Sequence, residues 1–152
     1  MRETDQIAAE NRKARHDFHL LETFEAGVAL LGTEVKSIRE GNVNLRDSFA
    51  RVESGEVWIY NVNVSPYSHR GYADHEPTRK RKLLLHRQEI KKLIGKTTER
   101  GMTIVPVRMY LKNGRVKVAI SLAKGKKAHD KRETIKERDW KREQGRLLRQ
   151  HG

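Results

Sequence analysis

The chain has 152 residues, room for one domain and not two, and carries 33 Lys and Arg against 20 Asp and Glu, a formal net charge of +13. Such a charge draws a protein to polyanions, nucleic acid first and an anionic membrane surface second. Zero cysteines exclude disulfides, cysteine-ligated metal centres and thiol nucleophiles, and no run approaches the roughly 18 apolar residues of a spanning helix.

The opening stretch MRETDQIAAENRKARHDFHL has no apolar block among its charges, so it does not read as a secretory signal, and a cytosolic protein is expected. Within it Asn11, Arg12, Lys13, Arg15 and His16 form a compact polar-basic group. Such a group suits the phosphates and exposed bases of a folded RNA loop, and it equally suits a solvated arm. A strand is predicted through FHLLETFEAGVALL, residues 18–31. Its Glu25 is notable, because an acid lowers affinity for a polyanion unless it accepts from base amino groups or orients a cation; a surface salt bridge is the plainer reading.

GTEVKSIREG predicts a short helix, with Thr33 as cap, Val35 and Ile38 on one face and Gly41 in the left-handed C-terminal position. Further on, Ser54-Gly55 is a two-residue hairpin turn, and Trp58, Tyr60, Val62 and Val64 alternate with Ile59, Asn61 and Asn63 as the two faces of a strand. Arg79, Lys80, Arg81 and Lys82 in TRKRKLLL form either an electrostatic rail or a solvated loop. HRQEIKKLIGK predicts a second helix, with Ile90, Leu93 and Ile94 on one face and Gly95 as its stop. Asn113-Gly114 is a type I′ turn between MTIVPVRMYL and VKVAISLA, with Val116, Val118, Ile120 and Leu122 facing one way. Pro106, lacking an N–H, belongs at an edge or bulge. Five or six short antiparallel strands with two small helices predict a mainly β fold, a small closed or nearly closed barrel, over residues 1–123.

From Lys124 the pattern fails. Residues 124–152 hold eleven Lys or Arg against five Asp or Glu, a net of +6, with Ile135, Trp140, Leu147 and Leu148 as the large apolar groups. Trp140 and Leu147 align on one helical face and Ile135 lies off it, so no continuous stripe exists to dock the segment on a core. Thr134 and Glu137 have capping-box spacing, and Glu137 with Lys141 is a well-oriented i, i+4 pair. The expectation is a basic tail disordered in the free protein that becomes helical against RNA.

GKKAHDKRETIKERDW closely resembles the C-terminal signature of the small protein B family, the bacterial SsrA-binding proteins. NRKARHDF, ETFEAGVALLGTEVKSIREG, EPTRKRKLLLHRQEI and VKVAISLAKGKKAHDKR follow in that family's order, so the likeness runs from about Asn11 to Leu148. It implies a barrel related to the oligonucleotide-binding fold that is not an enzyme, needs no cofactor and acts as a monomer. Such a protein would bind the tRNA-like part of transfer-messenger RNA and deliver it to stalled ribosomes. On that resemblance Asn11, Arg12, Lys13, Arg15, His16, Glu25, Lys36, Arg79, Arg81 and Lys82 are candidate RNA contacts. It likewise assigns Gly125, Lys126, Lys127, His129, Asp130, Lys131 and Arg132 to small-subunit ribosomal RNA at the decoding centre and message channel. Trp140, Leu147 and Leu148 either join them or fold back on the barrel. His86 departs from the asparagine frequent in that family.

Other chemistries fit less well. IGKT at residues 94–97 lacks the first glycine of a phosphate-binding loop, since position 90 is Ile90. His16 and His19 have no third metal ligand spaced nearby, and nothing places His16 and His129 at one scissile phosphate for ribonuclease chemistry. The alternative of a different class is a ribosomal protein or assembly factor with a basic extension.

Overall fold

The computed structural model describes residues 6–66, 75–99 and 101–126. In chain order its elements are β1 (Gln6–Glu10), α1 (Arg12–Asp17), β2 (Phe18–Val28), α2 (Gly32–Arg39), β3 (Val43–Asn44), β4 (Phe49–Glu53), β5 (Glu56–Tyr60), β6 (Asn63–Val64), β7 (Arg81–Leu84), α3 (Arg87–Thr97), β8 (Met102–Lys112) and β9 (Arg115–Gly125). All pairings are antiparallel: seven strands run in the order β1-β8-β4-β5-β7-β2-β9, with β8 also paired to β9, and β3 pairs with β6 in a separate two-stranded sheet. Six strands therefore form a ring, with β1 added outside. The ring is thinnest at the β4–β8 bridge, Ala50 against Ile104. This is the mainly β barrel expected, with more strands than five or six and with a third helix, α1. No helix among the described residues is long and apolar enough to cross a membrane.

The inner face is apolar by strict alternation. Val116, Val118, Ile120 and Leu122 of β9 join Met109 and Leu111 of β8, Val57 and Ile59 of β5, Leu83 of β7 and Leu93 of α3 in one core. Val118, Leu83 and Ile120 are completely buried. Both predicted hairpin turns form, with positive φ at Ser54, Gly55, Asn113 and Gly114 as type I′ geometry requires.

Pro106 lies at a bulge. The β8–β9 register slips between Pro106 and Arg108, and β8's other edge changes partner there, from β4 at Ile104 to β1 at residues 108–111. Asn11 covers the interruption. Its backbone N–H donates to Val107 O and its side-chain amide to Pro106 O, both at 2.8 Å.

Four local readings are corrected. Trp58 and Tyr60 do not share a face with Val62 and Val64: Val57 and Ile59 point inward, and left-handed Asn61 (φ 62°) resets the alternation before buried Val62. Thr33 is not the cap of α2, which begins after Leu31; the Leu31 N–H donates to Glu34 Oε1 at 2.8 Å, and the Thr33 hydroxyl contacts His75 Nδ1. Gly95 does not stop α3, which continues to Thr97, where the Thr97 and Thr98 hydroxyls donate back to Leu93 O and Gly95 O. Ile94 of that predicted face is 40% exposed. Finally, sheet pairing passes the expected boundary at 123: Gly125 pairs with Phe18, and the Lys126 N–H donates to Asp17 O at 2.9 Å.

Candidate nucleic-acid interface

Outward side chains of β2, β9 and β8 alternate with the core residues and build a charged face. The type I′ hairpin pairs Tyr110 with Lys117 and Lys112 with Arg115, and β2 places Glu25 opposite Ala119. The Tyr110 hydroxyl donates to Glu25 Oε2 at 2.5 Å, and Lys112 Nζ lies 3.3 Å from both carboxylate oxygens. The Tyr110 hydrogen bond, with Lys112 and the charge of Lys117, outweighs the cost of burial and holds the Glu25 carboxyl below its ordinary range. Glu25 is thus an ionised acceptor held among cations.

Beside this face runs a groove of about 780 Å³. Glu25, Gly27 and Lys117 line it from β2 and β9, Lys82 and Leu84 from β7, and Arg87, Glu89 and Lys91 from α3, with Glu56 also on its lining. Leu84 is 52% exposed, an apolar ridge whose far side opens onto a second hollow of about 350 Å³ bordered by Arg115. Gly27 pairs with Leu84, and a Cβ on the glycine would come within 3.3 Å of Leu84 Cβ. The groove's cations can hold phosphates and its exposed Leu84 can stack a base; of its three carboxylates, Glu56 is paired with Lys82 and Glu89 accepts from the His86 N–H at the start of α3, and Glu25 stands as an acceptor for a base edge.

Helix α1 lies on the same outer face. Ala14 packs on Val105 and Ala123, and Leu20 links that contact to Tyr110 and Ala119. Arg12, Lys13, Arg15 and His16 are exposed on it, with Lys13 Nζ 2.5 Å from Asp47 and His16 Nδ1 2.9 Å from Asp17. Asn11 differs: it is 4% exposed, its amide donating to Pro106 O and its side-chain oxygen accepting from the Ala14 N–H. Asn11 caps α1 and anchors it to the bulge rather than presenting its amide outward.

The TRKRK stretch divides by alternation. Arg81 points inward and is fully buried, donating to Glu34 Oε2 at 2.5 Å and to Val62 O and Pro77 O. Arg79 donates to both oxygens of Glu34, at 2.6 and 3.0 Å. Both expected roles for this stretch, rail and solvated loop, put these guanidiniums on the surface; Arg81 is instead spent on a buried carboxylate, and Arg79 is largely so. Lys80 lies over the Trp58 ring at 4.7 Å, while Lys82 borders the groove, 3.5 Å from Glu56. Lys36 is exposed on α2, and His86 is exposed at the start of α3.

Gly125 and Lys126 belong to the described body. Lys127, His129, Asp130, Lys131, Arg132, Trp140, Leu147 and Leu148 lie outside the described residues. Among the described residues no three His, Cys, Asp or Glu side chains gather at metal-binding distances. The sequence reading passed over Tyr110, Lys112, Lys117, Leu84 and the α3 cations. Strand alternation and the hairpin register were enough to pair Tyr110 with Lys117; the neighbourhood of β2 and β9, which brings Glu25 to them, has no local signal.

Comparison with known proteins gives a consistent picture. The family model described as SmpB protein matches residues 8–150. The chain is 58% identical over 150 residues to the SsrA-binding protein of Trichodesmium erythraeum, covering 98% of this chain and 96% of that one. It is 57% identical over 145 residues to the SsrA-binding protein of Carboxydothermus hydrogenoformans, covering 95% and 97%. A chain of the solved structure "tmRNA-SmpB: a journey to the center of the bacterial ribosome" is similar with a TM-score of 0.69 at 50% identity, covering 84% of this chain and 93% of that chain.

Proposed function

This chain belongs to the SmpB protein family, and from that premise we infer that it is an SsrA-binding protein, acting with tmRNA on the ribosome in trans-translation. It is an RNA-binding protein and not an enzyme. The observation that carries this is that the likeness runs through both the folded body and the basic extension, to residue 150. That extent displaces the reading as a ribosomal protein with a generic basic arm.

The body and the extension divide the work. The groove between Lys117 and α3, with the face that carries Glu25 and the cations of α1, receives the tRNA-like part of tmRNA: Lys82, Arg87, Lys91 and Lys117 neutralise phosphates while Leu84 and Glu25 meet bases. Two residues on the expected contact roster act from inside the fold, Asn11 by seating α1 and Arg81 by holding α2 to β7. Residues beyond Lys126, with their surplus of cations, engage small-subunit ribosomal RNA at the decoding centre and message channel. The setting is the cytoplasm, where stalled ribosomes are.

The test is the RNA that copurifies with a tagged chain from a bacterial host. One abundant species with a tRNA-like end is the expected result. Bulk ribosomal RNA from unstalled subunits, without such a species, would return the ribosomal-protein reading.

A further inference from the structure

The contact between Tyr110 and Glu25 crosses a whole strand. Glu25 lies on β2 and Tyr110 on β8, with β9 running between them, and at that crossing β9 presents Ala119, the register partner of both Glu25 and Arg108. Ala119 is 3% exposed and packs with Tyr110 and Val107. A methyl group is low enough for the phenol ring to lie across it and reach the next strand. The Arg108 guanidinium lies 5.8 Å from the centre of the same ring. The hydroxyl takes Oε2 of Glu25 at 2.5 Å, whereas Oε1 meets Lys112 Nζ at 3.3 Å, a longer and weaker contact.

We propose that Tyr110 is a positioning residue for RNA recognition: it fixes the Glu25 carboxylate through Oε2 so that Oε1 accepts an N–H from the edge of an exposed base. This rests on the reading of this face as the RNA surface. A carboxylate repels phosphate, so the group it receives is a donor, an amino or imino N–H of an unpaired base. Lys112 and Lys117 offset the repulsion of the neighbouring backbone, which lets an acid sit in a polyanion site at all. The bridge is rigid because its span is set by two strand spacings and a ring, not by a flexible stem.

The experiment is a gel-shift series with the full chain and a transcript of the tRNA-like half of tmRNA, using E25Q, Y110F and the double variant. Phenylalanine keeps the ring over Ala119 and beneath Arg108 and removes the hydroxyl alone. E25Q is expected to weaken binding about tenfold and Y110F about fivefold, as loss of hydrogen bonds to a charged group implies. The double variant should bind no more weakly than E25Q, since Tyr110 acts through Glu25. In the free protein, carboxyl carbon NMR should show Glu25 titrating higher in Y110F than in the wild type, a change that a merely structural tyrosine would not produce. Fully multiplying effects, wild-type binding by Y110F beside a weakened E25Q, or an unmoved Glu25 titration would each overturn the positioning role while leaving the RNA surface intact. Wild-type binding by E25Q would overturn that surface reading at Glu25 and the proposal with it.

Discussion

Glu34 is a fully buried carboxylate that faces two arginines, and its balance explains why a strongly basic chain places an acid in its core. Burial alone raises a carboxyl's pKa, but hydrogen bonds from Arg79, the Leu31 N–H and Arg81 reverse that, and Glu34 is held below its ordinary 4.5. Burial pulls the Arg81 guanidinium down while Glu34 pulls it up. A carboxyl lowered on folding contributes stability above its unfolded value, and that contribution is lost as pH falls from there through the folded value. Glu34→Gln keeps the shape but leaves two guanidiniums uncompensated, so it should cost about 3 kcal/mol or more in urea denaturation at neutral pH. The deficit should shrink in acid below the ordinary carboxyl range. An E34Q variant as stable as the wild type at pH 7 would mean that Arg79 and Arg81 find other partners.

Helix α1 has six residues and a single buried side chain, Ala14, so its position depends on its cap and its floor. Asn11 supplies both, accepting from the Ala14 N–H while donating to the carbonyl before the β8 bulge. Asn11→Ala removes the cap and leaves Pro106 O without that donor in a buried place, a loss of about 1 to 3 kcal/mol by thermal or urea unfolding. RNA affinity should fall less than on removing an exposed cation of α1 such as Arg15. A direct base contact by Asn11 would show the reverse order, weak binding with unchanged stability. The same residues show what the sequence made legible. Turn chemistry is local, so Ser54-Gly55, Asn113-Gly114 and the Pro106 bulge could be read from it, as could the C-terminus of α2. There Gly41 (φ +78°) donates to Ile38 O while Asn42 donates to Ser37 O. Helix α1 is not legible because its five polar or charged residues and one alanine carry no apolar period; its signal is the Asn11 cap, which the charge around it obscures. The charge of Arg81 argues for the surface against the alternation that Leu83 continues, and its inward position is made tolerable by Glu34, 47 residues away, and by the carbonyls of Val62 and Pro77.

Closing strands into a ring leaves the barrel only its outer surface for binding, and the three long strands β2, β8 and β9, eleven residues each, make most of the candidate face. Candidate residues far apart in sequence, from Arg12 to Lys117, meet there through the β2–β9 and β8–β9 pairings. That assembly is what the sequence could not display, since strand order depends on nonlocal packing; the family likeness implied a barrel and some of its contact residues, but not this grouping. The paired structure among the described residues extends to Lys126, and the 26 residues after it hold nine Lys or Arg against five Asp or Glu. The most direct measurement compares the full chain with one ending at Lys126, by gel shift with the tRNA-like transcript and by peptide tagging in reconstituted translation on a message lacking a stop codon. The shortened chain should bind the transcript as the full chain does and should fail to support tagging. Loss of transcript binding on truncation, or tagging at the full rate without the extension, would contradict the division between a body that holds tmRNA and an extension that engages the ribosome.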